Sequence, residues 1–176
     1  MSYYFDDPDE GLSAETSHPK FRELAVDSFY YDCTDEFAPF GSDDGADTLA
    51  ALQEWFRRGG RPERLPQFLV DLSSGWNLGV PAGLIQGSEA HKRAWLEQDR
   101  MHEPFLQSEC RARIAVAFGQ LKICGELHPE IQAEALASIA CMLWLNERSQ
   151  TANPQWGHAA EERAKLMKMK AVLGGL

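Results

Sequence analysis

A chain of 176 residues is the size of one domain, with room for an extra arm. Its 44% hydrophobic content, four cysteines and net charge of −10 exclude a disordered chain, a disulfide-built miniprotein and a nucleic-acid binder with a basic surface. No apolar run approaches the ~20 residues that a membrane span needs.

The charge is unevenly placed. Residues 1–54 hold fourteen Asp and Glu against Lys20 and Arg22, a net of −12, whereas residues 55–176 hold thirteen acids against fifteen bases, a net of +2. A surface this negative attracts a basic partner through complementary potential, and it serves equally well as a solvating surface. Direct nucleic-acid binding is disfavoured because phosphate contacts need clustered cations. The basic clusters are short: Arg57, Arg58, Arg61 and Arg64, then Arg163, Lys165, Lys168 and Lys170.

The opening, MSYYFDDPDEGL, is acidic and lacks the basic and apolar regions of a secretory signal, so a cytoplasmic protein is expected. Cys33, Cys110, Cys124 and Cys141 form no CxxC pair, and free thiols in a reducing compartment follow.

Residues 1–17 lack periodicity and are expected to form a flexible arm ahead of one domain over 18–176. A short helical stretch opens at His18-Pro19, with Phe21, Leu24 and Ala25 at helical spacing. Asp27–Asp32 reads equally as a short strand or as aromatic loop packing. Phe37-Ala38-Pro39-Phe40-Gly41 is a punctuated loop that delivers Ser42-Asp43-Asp44 to a helix start. Ala46, Leu49, Leu52 and Phe56 predict one apolar face for that helix, with Ser42 or Asp43 as its cap. Gly59-Gly60 stops it.

The next residues, 61–87, are rich in Pro and Gly, with a two-turn helix over Pro66–Ser73 and an ordered loop over Gly75–Val80. Ser88 caps a helix that is interrupted near Pro104. Two long helices follow, over 105–124 and 130–146, joined through Pro129 at a first helical position. The second is apolar nearly all round, which places it at the centre of the core. A last helix runs from about Ala159 to Leu173. The fold class expected is mainly α: a single-domain helical bundle with a loop-rich acidic N-terminal region and room for one short strand pair.

Three carboxylates within five residues, Asp43, Asp44 and Asp47, could hold Ca²⁺ or Mg²⁺ through oxygen ligands. The spacing does not match a calcium loop, and capping with dipole compensation explains the same residues without a metal. The histidines show no HExxH or Cys-His zinc spacing, and GxSxG, P-loop and dinucleotide signatures are missing. No catalytic residue and no cofactor are therefore expected, and an enzyme is the less favoured class.

Aromatic residues beside carboxylates can also make a protein-binding hot spot. The candidate partner surface comprises Tyr30, Tyr31, Asp35, Glu36, Phe40, Asp43, Asp44, Trp55 and Trp76. Core packing is the competing explanation for the aromatics.

His18-Pro19, Phe29-Tyr30-Tyr31-Asp32, the run from Glu36 through Pro39-Phe40-Gly41-Ser42-Asp43-Asp44-Gly45-Ala46-Asp47, and Glu54-Trp55 resemble the YfeS-like family of bacterial proteins. The likeness covers roughly residues 18–76. Some members carry a WGR module; the nearest match here is Gln155-Trp156-Gly157-His158, so that module is not expected. The resemblance implies no activity. If the loop is fixed, Gly41 and Gly45 permit tight backbone turns that hold the Asp side chains.

The leading expectation is a non-enzymatic cytoplasmic protein that acts by protein–protein interaction, in its sharper form an immunity- or antitoxin-like protein against a basic effector. The alternatives are a metal-dependent enzyme or a small-ligand domain using Asp43, Asp44 and Asp47, or a ligand pocket near Trp76.

Overall fold

The computed structural model describes residues 2–176. Among these residues there are seven α-helices and no strand. They are α1 (Pro19–Leu24), α2 (Asp43–Arg57), α3 (Leu65–Trp76), α4 (Glu89–Leu96), α5 (His102–Cys124), α6 (Pro129–Ala152) and α7 (Ala159–Gly174). The fold is mainly α. The short strand pair is absent among the described residues: Ser28–Tyr31 forms one 3₁₀ turn, and the sole antiparallel bridge joins Asp7 to Gly11.

Local sequence explains most boundaries. Ser42 and Ser88 accept hydrogen bonds from the backbone N–H groups of Gly45 and His91, satisfying donors that a helix start leaves orphaned. Pro129 takes the first position of α6. Pro104 lies in the first turn of α5, where its missing N–H costs nothing, so α5 begins at His102 and the break falls before it. Helix α3 runs on to Trp76, past the expected end, and Asn77 closes it in a left-handed conformation.

The centre of the core is α5, and the expectation that α6 would occupy it is corrected. Every residue from Ile114 to Cys124 is buried, and α5 packs against α1, α2, α3, α4 and α6. In α6, by contrast, Leu136, Leu143 and Trp144 are only half-buried and Ala140 is exposed. The polar residues of α5 disguise it in the sequence. The buried ones find partners in the fold: Lys122 pairs with Asp6 at 2.7 Å, Gln120 Oε1 accepts from the His128 N–H, and Glu109 pairs with Arg113.

The segment expected to be a flexible arm is seated on the helices from Tyr3 to Ser17; Met1 lies outside the described residues. The Tyr4 N–H donates to the carbonyl of Ile123, and the His18 N–H to that of Lys122, both at 2.9 Å. These bonds satisfy last-turn carbonyls of α5 that the helix itself cannot reach. Tyr3 packs on Phe56 and Phe5, with ring centroids 4.9 and 6.3 Å apart. Asp6 is the hub, accepting from Lys122, Thr16 Oγ1 and Gln53 Nε2 while its own N–H donates to Gln53 Oε1.

Candidate functional site

The loop between Asp35 and α2 is fixed by close backbone approach. A methyl group on Gly41 would lie 1.9 Å from the carbonyl oxygen of Asp35, and one on Gly45 would lie 2.3 Å from that of Pro39. Neither glycine has a positive φ. Their role is therefore to let two backbone segments touch, and the turn geometry expected of them is not what the fold uses. Asp35 also accepts from the Phe37 N–H through its side chain and from the Ala38 N–H through its carbonyl.

The three aspartates do not converge. Ser42, not Asp43, caps α2. Asp43 and Asp47 point to solvent one turn apart, while Asp44 is half-buried with a carboxylate oxygen 3.8 Å from Arg111. Among the described residues no group of three His, Cys, Asp or Glu side chains could hold a metal ion. Asp43 and Asp47 share the outer face of α2, whereas Asp44 is turned toward Arg111.

The remaining expected site residues divide by burial. Tyr30 and Phe40 are each 1% exposed and belong to the core; Tyr30 lies 5.4 Å from Phe118 of α5. They present no surface to a partner. Trp55 is half-buried between Phe56 and Phe68, and Tyr31 is half-buried against Phe21. Trp76 is half-buried at the end of α3. Glu36 is exposed, and Asp35 is drawn into an ion pair with Lys165 at 2.5 Å.

That ion pair is one of four by which the acidic third meets bases of the later helices. The others are Asp6–Lys122, Asp27–Lys168 at 3.1 Å and the loose Asp44–Arg111 contact. Part of the charge asymmetry is therefore spent inside the molecule. What stays outside includes Asp32, Glu36, Asp43 and Asp47, all exposed and without an ion-pair partner among the described residues. Asp43, Asp47 and Glu54 lie one and two further turns apart on the outer face of α2. Asp32 accepts from the N–H and hydroxyl of Thr34, which holds its carboxyl below the usual range and keeps it anionic.

Beneath the same loop lies a cleft of about 360 Å³. It is lined by Glu36 and Phe37 of the loop, Gln107 and Arg111 of α5, Asn146 of α6, Glu162 of α7 and Trp156. Asn146 is 2% exposed. Its amide nitrogen donates to Glu162 Oε2 at 2.6 Å and to the Ala159 carbonyl at 3.0 Å. Its oxygen has no partner. Burial pushes the Glu162 carboxyl up against the opposing Asn146 hydrogen bond and the Arg111 charge. Because this folded-state value lies above the ordinary 4.5, the contribution of Glu162 to stability is greatest below that pH and is lost as the folded carboxyl ionises.

A larger groove of about 820 Å³ runs between α3, the 77–86 loop, α5 and α6. It begins beside Trp76 at Ser73, Ser74 and Asn77, and Arg113 sits in it clamped by Glu109 and Glu134. The four cysteines are free. Cys33 is exposed, and burial pushes the Cys124 thiol up to about 12, which makes it inert.

Arg111, Lys122, Asn146 and Glu162 escaped the sequence reading. Their signal was a polar residue inside an apolar helical run, and Glu162, in the first turn of α7, is a position that the helix dipole by itself favours for an acid.

Over 142 residues the chain is 35% identical to the uncharacterized protein YfeS of Escherichia coli (strain K12). That match takes in 78% of this chain and 55% of YfeS, so the chain spans little more than half the length of this relative. No protein-family model matches the chain, and no solved structure matches it. No helix among the described residues is long and apolar enough to cross a membrane.

Proposed function

The chain belongs to a YfeS-like family over the residues it shares with that relative, and on this premise we propose that it is a non-catalytic, cytoplasmic binding protein whose acidic N-terminal third receives a basic protein partner. The observation that carries the reading is the acidic stripe left after internal pairing: Asp43 and Asp47 on the outer face of α2, with Glu36 and Asp32 on the loop before it. A row of unpaired carboxylates on a rigid helix raises encounter rates with a cationic surface and repels anionic competitors. Free thiols throughout the chain suit a reducing compartment. The finer form is an immunity- or antitoxin-like protein that covers a basic effector, with Glu36 and half-buried Phe37 of the loop and half-buried Trp55 available as neighbouring contacts.

The test mixes the purified protein with basic proteins encoded beside its gene and follows complex formation by calorimetry at low and high salt. A complex that forms at low salt, weakens with salt and is lost in the triple variant Asp43→Lys, Asp47→Lys, Glu54→Lys is the expected result. The proposal fails if no complex forms at low salt, where steering is strongest, or if the charge-reversed variant binds as well as the parent.

A further inference from the structure

We infer that the cleft between the Glu36–Phe37 loop, α5, α6 and α7 is a binding site for a small zwitterion of the α-amino acid class. The inference is independent of the basic-partner reading, since it concerns an inward-facing pocket and not the exposed stripe.

The amide nitrogen of Asn146 faces two oxygen acceptors, Glu162 Oε2 and the Ala159 carbonyl, and only a nitrogen can satisfy both. The orientation of the amide is thereby fixed, and its oxygen is left buried and unpartnered in a residue that lines the cleft. That oxygen is enclosed and adds negative potential behind the cleft wall without itself being open to a ligand. Glu162, 7% exposed, stands beside it and adds carboxylate acceptors, with Glu36 from the loop. An ammonium group, with three donors and one positive charge, matches that end.

The same cleft also carries a cation. Arg111 lines the cleft, and its nearest carboxylate oxygen, on Asp44, is 3.8 Å away, too far for a hydrogen bond. Its planar fork of N–H groups is therefore open to a second carboxylate. Gln107 lies on the same helix, one turn before it. A simple cation would meet Arg111, and a simple anion would meet Glu162 and Glu36, whereas a molecule bearing both charges satisfies both kinds of group. Met142 and Leu145 supply apolar floor, and half-buried Phe37 and Trp156 flank the mouth. A volume of about 360 Å³ is at the small end of ligand pockets, of order 300–1,000 Å³, and suits an amino acid better than a nucleotide.

The experiment titrates the purified chain with each of the proteinogenic L-amino acids by calorimetry, and then with the decarboxylated amine and the deaminated acid of any that binds. Saturable binding of one or more amino acids is expected, with both analogues weaker by about tenfold or more, the usual loss for one charge-assisted contact. Glu162→Gln and Arg111→Gln should each weaken binding by a similar factor. Arg111 is partly solvent-exposed, so its variant keeps the test decisive if the Glu162 variant melts early. The inference is overturned if no amino acid binds, if the amine or the acid alone binds as tightly as the parent amino acid, or if binding survives Arg111→Gln unchanged.

Discussion

The N-terminal third and the helices that follow are held together by different physics. From α3 onward, stability comes chiefly from apolar faces closing around α5, a non-directional force that tolerates local substitution. Residues 2–42 contain one short helix and one 3₁₀ turn, so they have few backbone bonds of their own. Beyond the aromatics they sink into the core, Phe21, Tyr30 and Phe40 among them, they are fixed by singular contacts: Asp6 on Lys122, the Tyr4 and His18 amides on the end of α5, Asp35 on Lys165, and two glycines that let the loop touch itself. The comparison teaches that a stretch without periodicity can be as ordered as a helix when its polar groups meet specific partners. It teaches also that net charge divided between segments can act as an internal clasp.

The sharpest way to break this contrast is Asp6→Asn. It leaves the fully buried Lys122 ammonium without its counter-charge, at a cost of about 3–5 kcal/mol in urea unfolding. Burial holds the Lys122 amine below its ordinary 10.5, so folding releases a proton between the two values and stability rises with pH across that window. The variant depends on this release more strongly, and its deficit should narrow at alkaline pH. A loss below about 1 kcal/mol at neutral pH would show that the segment is held by its aromatics alone.

A smaller effect separates the cap from its acidic neighbour. Ser42→Ala should cost about 0.5–2 kcal/mol, because it strips the acceptor from the Gly45 N–H at the entrance to α2. Asp43→Ala, which makes no cap bond, should stay within about 0.5 kcal/mol. Equal losses at the two positions would contradict the assignment of Ser42. The smallest change is expected at Lys168→Ala, whose pair with Asp27 is half in solvent. A shift of about 0–1 kcal/mol that vanishes in high salt fits a surface pair. A larger, salt-independent shift would make Asp27–Lys168 part of the clasp proper.

Helix α2 was legible because its caps, acidic start and glycine stop are all local signals. Its buried face was legible less well. Ala46 is exposed, and Thr48 and Gln53 take the buried positions. Thr48 and Gln53 are polar, and only the packed fold shows that Gln53 is needed by Asp6. Tyr30 and Phe40 looked like surface aromatics because carboxylates surround them in the chain, but burial is set by what folds over a residue. For the same reason the cleft was invisible: Arg111, Asn146 and Glu162 lie on three different helices. Each alone reads as an ordinary helical polar residue.

The sequence by itself determined the helical class, the cap at Ser88, a cap for α2 at Ser42 or Asp43, the turn at Pro129 and the division of charge along the chain. These depend on interactions within a few residues, where spacing is fixed by the backbone. Only the tertiary structure decided that α5 and not α6 is central, that four N-terminal acids turn inward, and that Asn146 keeps an unused acceptor beside Glu162. Those outcomes rest on pairings such as Asp6 with Lys122, more than a hundred residues apart, for which local pattern carries no signal.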